Sequence, residues 1–275
     1  MTRQVAAALG NVAILTALLV YFGWVRSEVQ ARLLGIDESI LGMSTRDYLL
    51  RSVRPVLVLL IVVALSGLLW VALDRWLSLR LIRKGADDRL FRYVLRSLPA
   101  AALGLPVLGW LSGFPWPTAA YILFPLTCAG ALLILLYAFA MRQVLPGAVR
   151  MQASRESLLR ACAAAIVGVA LFTAAANYAT VEGTELAKGF PRQIPELPRV
   201  VVYSAEPLYI EAPGIRWETL GSGSNIRIRY TGLRLLERTG GRHFLVSDDW
   251  TPQYGVVIVI DDEDDVRLEY VRDVR

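Results

Sequence analysis

The strongest constraint on the fold is a run of 21 residues without a charge, VAAALGNVAILTALLVYFGWV at 5–25. About 20 apolar residues in an α-helix match the hydrocarbon thickness of a bilayer. Arg3 precedes the run, and Tyr21, Phe22 and Trp24 crowd its far end, as an aromatic belt does at a membrane boundary. The run is too long, and Val29-Gln30-Ala31 too distant from it, for a cleaved signal peptide, so it reads as a first span.

Four more apolar blocks follow, at about 55–73, 97–113, 118–140 and 158–179. The third is short and interrupted by Pro99, Gly104, Pro106 and Gly109, and the fourth contains Pro125. Both residue types are common in membrane helices. SGFPWP reads as a tight connection between these two spans. In the first hydrophilic connection, 26–53, SEVQARLLG predicts helix ended by Gly35. Ser44 and Asp47 have capping-box spacing and predict a helix that runs on through Pro55. The expectation for 1–179 is an α-helical transmembrane bundle of about five spans.

Charge gives this bundle a direction. Residues 1–179 carry 17 Lys and Arg against 8 Asp and Glu, whereas 180–275 carry 12 against 16. Lys and Arg collect on cytoplasmic loops. With the N-terminus inside, Arg3, the 74–96 loop and the 142–160 linker place twelve basic residues in the cytoplasm. Only Arg26, Arg32, Arg46, Arg51 and Arg54 then lie outside. The loop from Arg75 to Arg96 reads as a topology determinant on the inner leaflet, in contact with membrane lipids. No separate basic domain is set aside for nucleic acid.

After residue 179 the pattern changes. Pro191, Pro195 and Pro198 mark 180–198 as a linker. RVVVYS, PLYIEA, NIRIRY, LRLLER, RHFLVS, VVIVI and VRLEYV then read as strands, with TGGR as a hairpin turn. NIRIRY alternates, with Ile226, Ile228 and Tyr230 on one face and Arg227 and Arg229 on the other. The expectation for 199–275 is a small, mainly β domain outside the cytoplasm.

The residue types that carry chemistry are scarce. Asp261, Asp262, Glu263, Asp264 and Asp265 lie between two strand patterns. They read first as a solvated hairpin turn, with a weak cation site at Asp261, Asp262, Asp264 and Asp265 as the alternative. His243, the one histidine, reads as a surface residue beside a turn. A catalytic role would pair it with Ser204 or Ser247 and with Asp248 or Asp249. Cys128 and Cys162 fall at different depths of their spans and read as packing residues. Asn11, Thr16, Thr127, Thr173 and Asn177 read as groups that bond between helices. Phosphate-cradling and dinucleotide glycine motifs are missing, and GSGSN at 221–225 is a plain Gly/Ser loop. No cofactor is expected.

Two stretches carry a resemblance: YFGWVRSEVQARLLGIDESILGMSTRDYLLRS at 21–52 and YTGLRLLERTGGRHFLVSDDW at 230–250. They resemble segments of uncharacterised polytopic membrane proteins of high-GC actinobacteria. The resemblance implies a cell-membrane location in such an organism, and no activity.

The expected function is therefore non-enzymatic: a binding or accessory module of the cell envelope, with an envelope protein or ligand as partner at the β domain. The alternatives are a channel or transport subunit, and an enzyme on lipid or wall precursors. The enzyme would have to use Asp37, Glu38 and Asp47 of the outer loop. Oligomeric state is left open.

Overall fold

A computed structural model describes residues 2–84, 89–143, 152–221, 227–262 and 266–271. It contains five long helices: α1 (Thr2–Leu33), α2 (Thr45–Lys84), α3 (Arg89–Leu111), α4 (Pro117–Gln143) and α5 (Ala153–Gln193). A six-stranded antiparallel sheet follows: β1 (Arg199–Ser204), β2 (Arg216–Leu220), β3 (Arg227–Thr239), β4 (Arg242–Ser247), β5 (Val257–Asp261) and β6 (Val266–Val271). The chain divides into two compact units, one of 1–52 with 182–275 and one of 53–181.

The second unit is helical. Among the described residues, four helical segments are long and apolar enough to cross a membrane: Val56–Arg80, Arg92–Leu111, Pro117–Gln143 and Ser154–Glu196. Little of them is buried: Leu68, Leu69 and Leu103 are each exposed on about 70% of their surface or close to it (68%, 72% and 70%). Such surface suits hydrocarbon and not water. The expected first span lies within α1, whose side chains from Thr2 to Val12, Asn11 included, are outside the described residues.

Small residues and single polar bonds join the helices of this unit. Gly109 of α3 meets Thr127 of α4 so closely that a Cβ there would overlap the hydroxyl. Asn177 Nδ2 of α5 donates to the Tyr121 carbonyl of α4 at 2.6 Å, the interhelical role its sequence position suggested. Tyr137 of α4 donates to Asp74 of α2 at 3.0 Å, and the Trp70 ring packs edge-on against Tyr137. Both cysteines are free; Cys128 is half-buried and Cys162 is exposed on its helix surface, so Cys162 is not a packing residue within the chain.

In the first unit α1 ends by a Schellman motif. Gly35 takes φ +80°, its N–H donates to the Arg32 carbonyl, and the Ile36 N–H donates to Ala31 at 3.0 Å. A short 3-10 helix, η1 (Glu38–Leu41), follows. Ser44 and Asp47 then form the expected capping box at the start of α2, with Ser44 N–H to Asp47 Oδ2 at 2.9 Å.

The expected linker 180–198 is not a linker. α5 continues to Gln193 through Pro191, and a second 3-10 turn, η2 (Ile194–Glu196), leads to β1. Proline in a last turn forfeits a single backbone bond, and Ala187, Phe190 and Ile194 recur at helical spacing on one buried face.

The sheet order is β5-β4-β3-β1-β6, with β2 also on β3. RIRY of the first pattern and LRLLER, read as two strands, are one long strand, β3, with Gly232 at φ +82° between them. PLYIEA is not a strand: Leu208 and Ile210 pack onto the sheet's inner core, and Tyr209 takes φ 47°. β2, RWETL, was not anticipated, because all five of its residues are exposed and no apolar alternation marks them. TGGR is the expected two-residue hairpin, with Gly240 at φ +59° and Gly241 at φ +73°.

Two apolar clusters cover the two faces of β4. Phe244 and Val246 point to a cluster with Ala31, Leu34, Ile36, Leu41, Phe190 and Trp250, from the end of α1 and the connection after it, the end of α5 and the loop after β4. Leu245 points the other way, to Val200, Val202, Tyr230, Leu233 and Ile260. Side chains from both edge strands, Ile258 of β5 and Leu268 of β6, pack against this inner core.

Candidate functional site

Polar groups concentrate where the helix ends meet the sheet, inside the first unit. Arg51, nearly two turns into α2, is held by the helix that the Ser44–Asp47 box starts. Its guanidinium donates to Glu237 of β3 and to Ser27 Oγ of α1 at 3.2 Å. Arg26 Nη1 donates to the Arg51 carbonyl at 3.2 Å, and Arg26 Nε lies 3.7 Å from Glu182 of α5. One network thus ties α1, α2, α5 and β3. Gly23 and Gly183 let the helices approach this closely. A Cβ on Gly23 would overlap the Tyr48 carbonyl, and one on Gly183 would lie 2.6 Å from the Arg26 carbonyl.

A second clasp lies beside it. Arg234 of β3 is buried (5% exposed), with Nη1 donating to the carbonyls of Pro195 at 2.9 Å and Leu197 at 2.8 Å. Its Nε donates to Asp248. The guanidinium therefore satisfies the carbonyls of the turn that carries α5 into the sheet. Phe190 and Trp250 meet edge-on beneath it, ring centroids 5.0 Å apart. Sequence reading missed Arg234 because its neighbours on that face, Arg227 and Arg229, are solvent-side strand arginines. Only the packing of η2 distinguishes it.

The three acids of the 26–53 connection, Asp37, Glu38 and Asp47, are engaged in structure. Asp37 accepts from the N–H and hydroxyl of Ser39 and caps η1; these bonds hold its carboxyl below the usual range. Asp47 is lowered likewise by Ser44. Glu38 accepts from Trp24 Nε1 at 3.2 Å and from the Tyr48 hydroxyl. Burial, then the bond to Glu38, pushes the Tyr48 hydroxyl up to about 12. Asp37 and Asp47 stay ionised at neutral pH, and Tyr48 keeps its proton.

The acidic stretch differs from its expected setting. It does not turn between neighbouring strands, since β5 pairs with β4 and β6 with β1, at opposite ends of the sheet order. Asp261 accepts from Arg242 Nε at 2.9 Å and Asp262 accepts from Arg238. Asp264 and Asp265 lie outside the described residues, as do Glu263 and positions 222–225 of the Gly/Ser loop. No group of three or more metal-ligating side chains occurs among the described residues.

His243 is not a surface residue. It is 3% exposed on the inner face of β4, beside Leu245 in alternation, and burial lowers its pKa, with Arg238 adding to the effect and Asp262 opposing it. Ser247 is buried on the same strand, four residues away, about 14 Å at strand rise, so the two do not meet. Asp248 is committed to Arg234, and the Ser204 hydroxyl accepts from the Glu206 N–H.

In the helical unit the largest cavity among those described, about 570 Å³, lies between α2, α4 and α5. Val63, Gly67, Trp70, Ala129, Leu133 and Leu171 line it, almost without polar atoms. Comparison with protein-family models, curated proteins and solved structures found no match to this chain, so the reading of the junction rests on its own geometry.

Proposed function

We propose that this chain is a multi-pass cell-membrane protein of about five spans, N-terminus in the cytoplasm. Its β domain works outside as a non-enzymatic binding or accessory module of the envelope. One observation carries the reading: the sheet is keyed onto the helix ends by Arg51–Glu237 and by the cluster around Phe244 and Trp250. A sheet mounted in this way is a rigid platform, and rigid mounting suits recognition or support. The basic residues of 75–96 support this orientation, because Lys and Arg collect on the cytoplasmic side and the sheet then faces outward. The likeness to actinobacterial membrane proteins accords with this location.

The alternative of a channel or transport subunit draws on the cavity between α2, α4 and α5. Its apolar lining suits hydrocarbon better than an ion, so the binding reading ranks first.

Two measurements test the proposal. Tyr254 is 77% exposed on the β4–β5 connection. Tyr254→Cys, in a chain with Cys128→Ser and Cys162→Ser, is treated with a membrane-impermeant thiol reagent in intact cells. Labelling before lysis places the sheet outside; labelling only after lysis inverts the topology and ends the envelope reading. The full chain in detergent is then used to capture ligands from envelope extracts. Ion or solute flux through reconstituted vesicles, with nothing captured, favours the transport alternative.

A further inference from the structure

The cavity between α2, α4 and α5 lies at the middle of the helical spans. Gly130, on its wall, is the central residue of Pro117–Gln143, and Gly67, also on its wall, adjoins Leu68, the central residue of Val56–Arg80. Polar ties bracket it. Tyr137 of α4 donates to Asp74 of α2, one turn beyond the wall residue Trp70. Past the other end, Asn177 of α5 donates to the Tyr121 carbonyl of α4. Between these ties the three helices stand apart and leave about 570 Å³. Among the described wall residues Ser66 carries the only hydroxyl, and none is charged.

Gly67 shows that the described protein does not fill this gap. It lies between Val63 and Val71, one turn away on either side of the same wall, yet a Cβ on it would meet no described atom within 4 Å. Glycine inside a helix is costly relative to alanine, so close packing is its usual reason. No such packing is present at Gly67. Walls without partner atoms forfeit their dispersion contacts, and the loss grows with the volume left empty.

Size and polarity select the occupant. From Val62 to Val71 the wall of α2 runs about 14 Å. A helix about 10 Å across fills about 1,000 Å³ over that length, nearly twice the cavity. A hydrocarbon chain about 4.5 Å wide at van der Waals contact fills roughly 200–300 Å³ over the same length, so one or two chains fit. A soluble ligand or an ion needs polar partners that this wall lacks. Val63, Val71 and Leu133 stay exposed, so the cavity opens at the helix surface, at a depth where the solvent is lipid tails. From this volume, depth and lining we infer that the cavity holds an acyl chain of a bilayer phospholipid, packed between α2, α4 and α5 as part of the bundle. The inference rests on the membrane reading above and does not depend on the role of the β domain.

The test uses the full chain in nanodiscs of a phosphatidylcholine that carries a diazirine at the end of one acyl chain. Light expels nitrogen from the diazirine, and the carbene inserts into the protein bond beside it. Val62, Leu126 and Leu171 are half-buried on the cavity wall, whereas Leu68, Leu69 and Leu103 are among the most exposed apolar residues of the spans. Peptide mapping should find insertion at the wall residues severalfold above that at the exposed ones. Gly67→Phe should lower the wall signal severalfold by filling the space. Gly104→Phe, on α3 and equally free of neighbours within 4 Å, should leave it unchanged. Insertion that simply follows exposure overturns the inference, as does a wall signal that persists in Gly67→Phe. A dimer by light scattering that Gly67→Phe converts to monomer also overturns it, and would assign the cavity to side chains of a second copy. The wild-type pattern needs no variant, so a Gly67→Phe chain that fails to fold leaves the test intact. Release of the chain from cell membranes by alkaline carbonate ends the membrane reading and this inference with it. A chain that resists carbonate but labels by exposure overturns this inference alone.

Discussion

Arg51 of α2 donates to Glu237 of β3, 186 positions further along the chain. Both side chains are about three-quarters covered (23% and 28% exposed), so the pair lies between the exposed and buried limits. Replacing either partner leaves a half-buried charge without its counter-ion. We expect Arg51→Ala and Glu237→Ala each to destabilise the first unit, with a coupling of about 1–3 kcal/mol in a double-mutant cycle. Thermal unfolding of the four proteins in detergent measures it. Additive effects would show that the apolar cluster alone seats the sheet.

Gly23 and Gly35 separate two reasons for a glycine. At Gly23 a Cβ overlaps the Tyr48 backbone carbonyl, which cannot rotate away. At Gly35 nothing lies within 4 Å, and only the positive φ resists substitution. Gly35→Ala should cost about 1 kcal/mol. Gly23→Ala should cost more, about 1–3 kcal/mol or beyond, by pushing α1 off α2. Limited proteolysis in the 34–44 connection ranks them; an equal ranking would contradict the close crossing.

His243 should make the sheet acid-sensitive. Burial first, then Arg238, holds its imidazole below the ordinary 6.5, so the folded state keeps it neutral. The unfolded chain takes up a proton near 6.5. Stability from this group is therefore present above pH 6.5 and falls as pH drops toward the folded value. His243→Leu should flatten the melting temperature between pH 7 and pH 5.5. An unchanged slope in the variant would place the sensitivity elsewhere.

The Ser44–Asp47 box starts the helix that positions Arg51. Ser44→Ala removes the hydroxyl that caps the first turn and should cost about 1 kcal/mol. The low Asp47 pKa gives the box a pH signature of its own. Its contribution is complete above the ordinary 3.8 and disappears as pH falls through the depressed value. Hydrogen exchange at the amides of residues 45–48 reads the fraying directly.

Features set by local chemistry were legible in the sequence: the Ser44–Asp47 box, the Gly35 stop, the TGGR turn, and the alternation that puts Tyr230 inside and Arg229 outside. Apolar period failed where burial was one-sided or absent. RWETL is exposed at every position and so carries no signature of a strand. The prolines at 191 and 195 looked like a linker, although Ala187, Phe190 and Ile194 already had helical spacing. Pairing was not legible at all, because period 2 does not say which strand lies alongside. The acids at 261–265 were thus taken for a turn between neighbours, when β5 and β6 sit at opposite ends of the order. The ties that fix the junction, Arg51–Glu237 and Arg234–Pro195, join residues too far apart for any local window.

The sheet's seat is made by Ala31, Leu34, Ile36 and Leu41, while Phe244, Val246 and Trp250 close it about 200 positions later. On the ribosome that separation becomes a waiting time. At about 5–20 residues per second, the early half stands uncovered for roughly 10–40 seconds, with all the intervening helices still to be made. During that interval Leu34 and Leu41 are an open apolar ledge. The chain therefore depends on whatever shelters that ledge until its last hundred residues emerge, and a slow stretch late in synthesis would be felt first at its beginning.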